Sequence, residues 1–224
     1  MSVPARPRSE SLVVPGPAGA LEAIVDTPPA ARGDRVAVLC HPHPLYGGTM
    51  TNKVVHMLAK GCNEQAAIAV RFNFRGVGAS EGTYDEGDGE THDTLAALEW
   101  AAQRWPGARL WVGGFSFGGA VAIRAAIARA AASSDVQCLI TVAPAIRRVS
   151  VSLADLPSVP WLLVQGDQDE LVDPEDIQRW VAELPSPPRL VMLPGVDHFF
   201  HGRLNDLRDA LVQWLAATVT QKES

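Results

Sequence analysis

LWVGGFSFGGAVAI, residues 110–123, decides the fold. Its first half has the β-branched and aromatic character of a buried strand. Its second half opens an Ala-rich stretch suited to a helix. Between them stands Gly114-Phe115-Ser116-Phe117-Gly118, a G-x-S-x-G in the strand–turn–helix context that gives this motif its meaning. So abrupt a turn strains the backbone at its middle residue, and the small residues around it let the chain pass close to its neighbours. Ser116 Oγ is expected to project from the carboxyl edge of a sheet, beside the N-terminus of the next helix. N–H groups there favour a developing negative charge. Two other glycine motifs fail. A phosphate-binding loop needs Lys before its Ser or Thr, which GGFSFGG lacks, and RGVGASE (75–81) lacks the third Gly of a dinucleotide fingerprint.

Outward from this segment, short apolar runs alternate with helical stretches. Strands are expected at 36–40 (VAVLC), 66–72 (AAIAVRF), 109–113, 137–143 (QCLITVA), 161–165 (WLLVQ) and 189–193 (RLVML). Continuous apolar runs of this kind belong to strands covered on both faces. Helices are expected at 51–61, 91–104, 117–132, 174–184 and 203–219, the fourth opening on Pro174 as its first helical residue. Residues 11–15 and 20–26, separated by Gly16, Pro17 and Gly19, read as an antiparallel hairpin. The whole is an α/β chain with a mostly parallel central sheet flanked by helices. Residues 1–10 read as a loose N-terminal segment and 11–221 as one domain.

A nucleophilic serine needs a base, and the base needs a fixed tautomer. His198 lies in the loop leaving the last strand, on the same sheet edge as Ser116, and is the candidate. His201 stands closer to the final helix, and His56 and His92 read as surface or helix-end residues. The orienting acid should leave another strand, and VQGDQDELVDP (164–174) offers Asp167, Asp169, Glu170 and Asp173. Asp169 sits where a turn can fold back over the sheet edge and is the candidate, ahead of Asp167. Asp173 precedes Pro174 and reads as a helix N-cap. Phe117 supplies one oxyanion donor through its backbone N–H. The second should come from HPHPLYGG (41–48). Pro42 and Pro44 have no N–H, so His43 is the candidate, with Leu45 behind it. A metal held by His41 and His43 is disfavoured because no third ligand is evident. Arg75 suits an ion pair with a loop acid, or less commonly an anionic substrate group. The acidic run Asp85, Glu86, Asp88 and Glu90 reads as a solvated loop.

Composition narrows the function class. Lys and Arg number 19 against 25 Asp and Glu, a net charge of −6, with no basic stripe, so a nucleic-acid partner is not expected. The three cysteines, Cys40, Cys62 and Cys138, form no CxxC pair and no disulfide framework. MSVPARPRSE is not followed by the apolar stretch of a secretory signal, and no apolar run is long enough to span a membrane. A cytoplasmic location, no membrane partner and no cofactor are expected.

These segments together resemble the α/β-hydrolase superfamily, and more narrowly a family of small, lidless bacterial serine hydrolases. The resemblance rests on HPHPLYGGTMTNKVV (41–55), FNFRGVGASEG (72–82), GGFSFGG (113–119), GDQDELV (166–172) and DHFFHG (197–202). It implies the α/β-hydrolase fold, with the nucleophile at Ser116, the acid at Asp169, the base at His198 and the oxyanion loop on the HPHP segment. Pro42 stands where many relatives outside the family carry Gly. Many superfamily members insert a helical cap after the strand corresponding to 137–143, but only 17 residues separate that strand from 161–165 here. No cap domain is expected. The resemblance implies hydrolysis but does not set the substrate; the exposed cleft left by the missing cap is expected to admit small carboxylic esters with short acyl groups. Peptide or thioester cleavage would use the same residues, and a non-catalytic interaction protein is the remaining class.

Overall fold

The computed structural model describes residues 7–132, 136–147, 156 and 158–220. Eight strands form one sheet: β1 (Arg8–Gly16), β2 (Gly19–Thr27), β3 (Arg35–Cys40), β4 (Ile68–Phe72), β5 (Arg109–Phe115), β6 (Val136–Val142), β7 (Trp161–Gly166) and β8 (Arg189–Leu193). Their order across the sheet is β1-β2-β4-β3-β5-β6-β7-β8. From β4 to β8 every pair is parallel, whereas β1 and β2 pair antiparallel with each other and β2 pairs antiparallel with β4. The helices are α1 (Lys53–Glu64), α2 (Asp88–Arg104), α3 (Phe117–Ala131), α4 (Pro174–Ala182) and α5 (Leu204–Thr220).

The continuous apolar runs are strands because both sheet faces are covered. On one face Val36, Val38, Val70 and Val112 pack with Leu98 of α2 and Val121 of α3. On the other, Leu39, Ala69, Trp111 and Ile140 pack with Leu58 of α1 and Leu211 of α5. β3 and β5 are neighbours, yet α1 leaves β3 over one face and α3 leaves β5 over the other. Their carboxyl ends therefore open a crevice at a topological switch point, where ligands bind in sheets of this kind.

Several boundaries differ from the sequence reading, each for a local reason. β1 begins at Arg8, inside the segment expected to be loose, because its polar residues pair along β2 from Arg8↔Thr27 onward. Residues 1–6 lie outside the described residues. α2 begins at Asp88, three residues early, because Glu90 reaches back to accept from the backbone N–H groups of Asp85 and Gly87 at 3.0 and 2.8 Å. Glu90 is thus a buried helix cap, and Asp88 pairs with Arg124 at 2.6 Å, so the acidic run is not simply a solvated loop. The end of β4 and the start of the FNFRGVGAS segment (72–80) are tied by side chains to the neighbouring strand β2. Arg71 pairs with the buried Asp26 at 2.8 Å, and Asn73 donates to Glu22 at 2.7 Å.

Candidate active site

The turn from β5 into α3 places Ser116 at φ 55°, ψ −118°, a left-handed conformation rare for a residue with a side chain. Its backbone N–H is held by Val142 O at 2.9 Å. The glycines around it are explained by close approach. A Cβ on Gly118 would fall on the carbonyl oxygens of Cys40 and His41 at the end of β3, and one on Gly114 would meet the backbone of Gly118. Helix α3 can therefore start directly against the neighbouring strand. Phe117, its first residue, has an N–H with no carbonyl a turn earlier to bond within the helix.

His198 leaves the loop after β8, and its Nε2 stands 3.1 Å from Ser116 Oγ. Its Nδ1 stands 2.8 Å from Asp169 Oδ2. With Nδ1–H donating to the carboxylate, Nε2 is left as the acceptor facing the serine. Both side chains are buried. Asp169 sits in the turn after β7 and is saturated with donors. Oδ1 accepts from the N–H groups of Leu171 and Val172 at 2.9 and 2.7 Å, and Oδ2 also accepts from Gln165 Nε2 at 2.9 Å. Such a carboxylate is held in one orientation. Gln165 is the residue sequence reasoning passed over. It is the fifth residue of a buried strand, and nothing in WLLVQ distinguishes it until the turn after β7 folds back over it.

The loops carrying the acid and the base are stitched together. Asp167 N–H donates to Leu193 O at 3.1 Å, Gln168 N–H to Val196 O at 3.0 Å, and Asp167 Oδ1 accepts from Gly195 N–H at 2.6 Å. Asp167 is therefore occupied in fixing a turn. Asp173 caps α4 by accepting from Glu175 N–H at 2.8 Å. His201 is exposed and bonds Asp197 at 2.7 Å, away from the serine.

His43, in the loop after β3, and Phe117, at the start of α3, both line the cleft, and their rings lie 4.9 Å apart. Leu45 N–H, the alternative donor of that loop, is committed to His43 Nδ1 at 3.2 Å. Tyr84 Oη stands 3.2 Å from His43 Nε2 on the far side of the ring. Arg75 is tied into the protein, with Nη2 on the buried Asp93 at 2.7 Å and Nε on the same carboxylate at 3.0 Å.

His41 is a structural residue. It accepts from Phe74 N–H through Nε2 at 3.0 Å, and its Nδ1–H donates to Pro42 O at 2.6 Å. Burial pushes its pKa down from 6.5 to about 4. Between those values the unfolded chain binds the proton and the folded chain does not, so stability falls as pH falls through the window. The loss reaches on the order of 3 kcal/mol by the lower end. Urea unfolding at neutral pH and near pH 4.5 should show a steeper decline in the native protein than in His41→Gln. Parallel declines would sink this assignment.

The cleft over Ser116 has a volume of about 500 Å³. Its walls are mostly apolar, with Ile146, Leu171, Val172, Ile177 and Phe199 among them, and at one side Arg147 pairs with Asp176. Eighteen residues, 143–160, link β6 to β7, far fewer than a cap domain requires.

A parallel sheet with a strained serine at its switch point, a buried His–Asp pair beside it and no cap defines a lidless α/β hydrolase. Residues 35–221 match the family described as the alpha/beta hydrolase domain, and the chain belongs to it. Among solved structures it is similar to an alpha-beta serine hydrolase homologue from Coxiella burnetii. The two share 43% identity over 91% of this chain and 96% of that one, with a TM-score of 0.84. It is equally similar in shape to a serine hydrolase without lid from Xanthomonas campestris, at 40% identity, 96% and 97% coverage and a TM-score of 0.84. An uncharacterized protein of Rickettsia prowazekii is 33% identical over 190 residues, 80% of this chain and 78% of that protein. No helix among the described residues is long and apolar enough to cross a membrane.

Proposed function

We propose that this protein hydrolyses small carboxylic esters through an acyl-enzyme. The observation that carries the reading is the unbroken hydrogen-bonded line Asp169–His198–Ser116, which ends at the start of α3 in an open cleft. Ser116 Oγ attacks the ester carbonyl as its proton passes to His198 Nε2. Asp169 holds the imidazole tautomer and stabilises the cation that forms. The N–H groups of Phe117 and His43 receive the oxyanion. The tetrahedral intermediate expels the alkoxide, which takes the proton from Nε2 and leaves the acyl group on Oγ. Water then attacks that acyl carbon, gives a proton to Nε2, and releases the acid as Oγ recovers the proton.

Labelling by a serine-directed phosphonate, followed by peptide mapping, should mark Ser116. Methyl esters with acyl groups from acetyl to palmitoyl should be turned over best at the short end, with no jump above the critical micelle concentration, because no cap covers the cleft. Turnover should persist after exhaustive chelation, since the proposed oxyanion donors are backbone N–H groups. A steady rise in kcat/KM toward palmitoyl would overturn the acyl preference. Loss on chelation that zinc or manganese restores would overturn the serine mechanism.

A further inference from the structure

Among the described residues, large hydrophobic side chains stand exposed at only five positions: Val13, Leu45, Tyr46, Leu171 and Phe199. Val13 is on the edge strand β1. The other four gather at the mouth of one cleft: Tyr46, Leu171 and Phe199 line it, and Leu45 adjoins Tyr46. They come from three loops on the carboxyl side of the sheet. Surface hydrophobes scattered singly need no explanation, but a cluster around a cavity does.

Topology divides the cluster into two banks. Tyr46 follows β3, on one side of β5 and Ser116, whereas Leu171 follows β7 and Phe199 follows β8, on the other side. The second bank is also the histidine's. Phe199 is the next residue after His198, with ring centroids 5.3 Å apart at 88°. His198 N–H donates to Glu170 Oε2 at 3.4 Å, which binds the loop bearing Leu171 to the loop bearing Phe199. Leu171 is 63% exposed and Phe199 47%.

The chemistry assigns a portion of substrate to each bank. The carbonyl oxygen must face the donors of Phe117 and His43, toward β3. The alcohol oxygen must face His198 Nε2, the atom that protonates it on departure. The alcohol's carbon skeleton therefore runs out over Leu171 and Phe199. A volume of about 500 Å³ lies in the range of sites for drug-sized ligands. A methyl or ethyl ester would leave most of it to water. Four side chains are far too few for a stable dimer, which needs roughly 800 Å² per partner. The net charge of −6 also opposes docking on an anionic lipid surface.

Building on the ester hydrolysis proposed above, we infer that Leu171 and Phe199 form a binding surface for the alcohol part of the substrate, and that this alcohol is an apolar group of ring size. The acyl part remains short.

Two matched series test the assignment. In the first, acetyl is fixed and the alcohol runs through methyl, ethyl, cyclohexylmethyl and benzyl. These are unactivated alcohols of similar acidity, so differences report binding in the transition state. In the second, methyl is fixed and the acyl group carries the same rings. For the wild-type protein kcat/KM should rise about tenfold or more from methyl to benzyl acetate, the scale for filling an apolar pocket. Phe199→Ala and Leu171→Ala should each remove most of that gain, measured as the benzyl-to-methyl ratio. Both side chains stand exposed at the cleft mouth, outside the buried core, so labelling of Ser116 by the phosphonate should continue and certify the folded site. A gain that survives both substitutions overturns the assignment, as does one confined to the acyl series. A flat alcohol series with measurable methyl acetate turnover also overturns it. If that flat series came with self-association that both variants abolish, the patch would belong to a second copy of the chain. Failure to turn over any ester would instead strike the hydrolase reading itself.

Discussion

Ser116→Ala is expected to lower ester kcat by on the order of 10⁶-fold, the scale seen when a serine nucleophile is removed. The hydroxyl makes and breaks the covalent bond to the acyl group, and it stands hydrogen-bonded to the proposed base, His198 Nε2. The fold should not notice. Alanine keeps the Cβ that already occupies the left-handed position at φ 55°, and the hydrogen bond lost is the one to His198. The backbone anchor from Ser116 N–H to Val142 O is untouched. The proposed oxyanion donors and the cleft also remain, so residual catalysis of roughly 10³–10⁴-fold over water is expected. Single-turnover and steady-state rates on a short ester, with a thermal melt on the same preparation, test both halves. Turnover near the native rate in the alanine variant would end the serine mechanism.

Legibility in the sequence followed the strength of the local physics. VAVLC and WLLVQ announced themselves because strands covered on both faces are apolar throughout. Arg8–Glu10 carried no such pattern, because an exposed edge strand is held by its pairing with β2 and needs no apolar face. The start of α2 was hidden for a different reason. Its cap is the buried carboxylate of Glu90 reaching back past Gly87, and in sequence that carboxylate is one more acid in an acidic run. In the candidate site, Ser116 was marked by a local motif, whereas His198 and Asp169 had to be chosen by which loops leave the same sheet edge. The structure brings these three together. Gln165 had no local mark, since its partner Asp169 comes within reach only when the turn after β7 closes over the strand end. The fate of Arg75 was likewise open until α2 put Asp93 against it.

Asp169→Asn is expected to lower kcat by about 10⁴-fold at neutral pH, the scale for losing the orienting carboxylate. Four N–H donors converge on this side chain: Leu171 and Val172 on Oδ1, and His198 and Gln165 on Oδ2. A carboxylate accepts all four, but an amide offers one oxygen and one NH₂. The two backbone donors cannot move without unmaking the turn, so the amide oxygen stays with them and the NH₂ faces His198. The imidazole must then present a bare Nδ1 and carry its proton on Nε2, toward Ser116. In that tautomer it cannot take the serine proton. The imidazolium of the transition state also loses its counter-charge. Asp167→Asn is the informative comparison, because the two carboxylates lie only two residues apart in the same turn. Its Oδ1 receives a single backbone N–H, from Gly195, and an amide oxygen can accept that bond equally well. Its kcat should stay within a few-fold of native. Steady-state kinetics of the two variants on one short ester decide the matter. A crippled Asp167→Asn beside a mild Asp169→Asn would mean that the turn holds a different acid in solution.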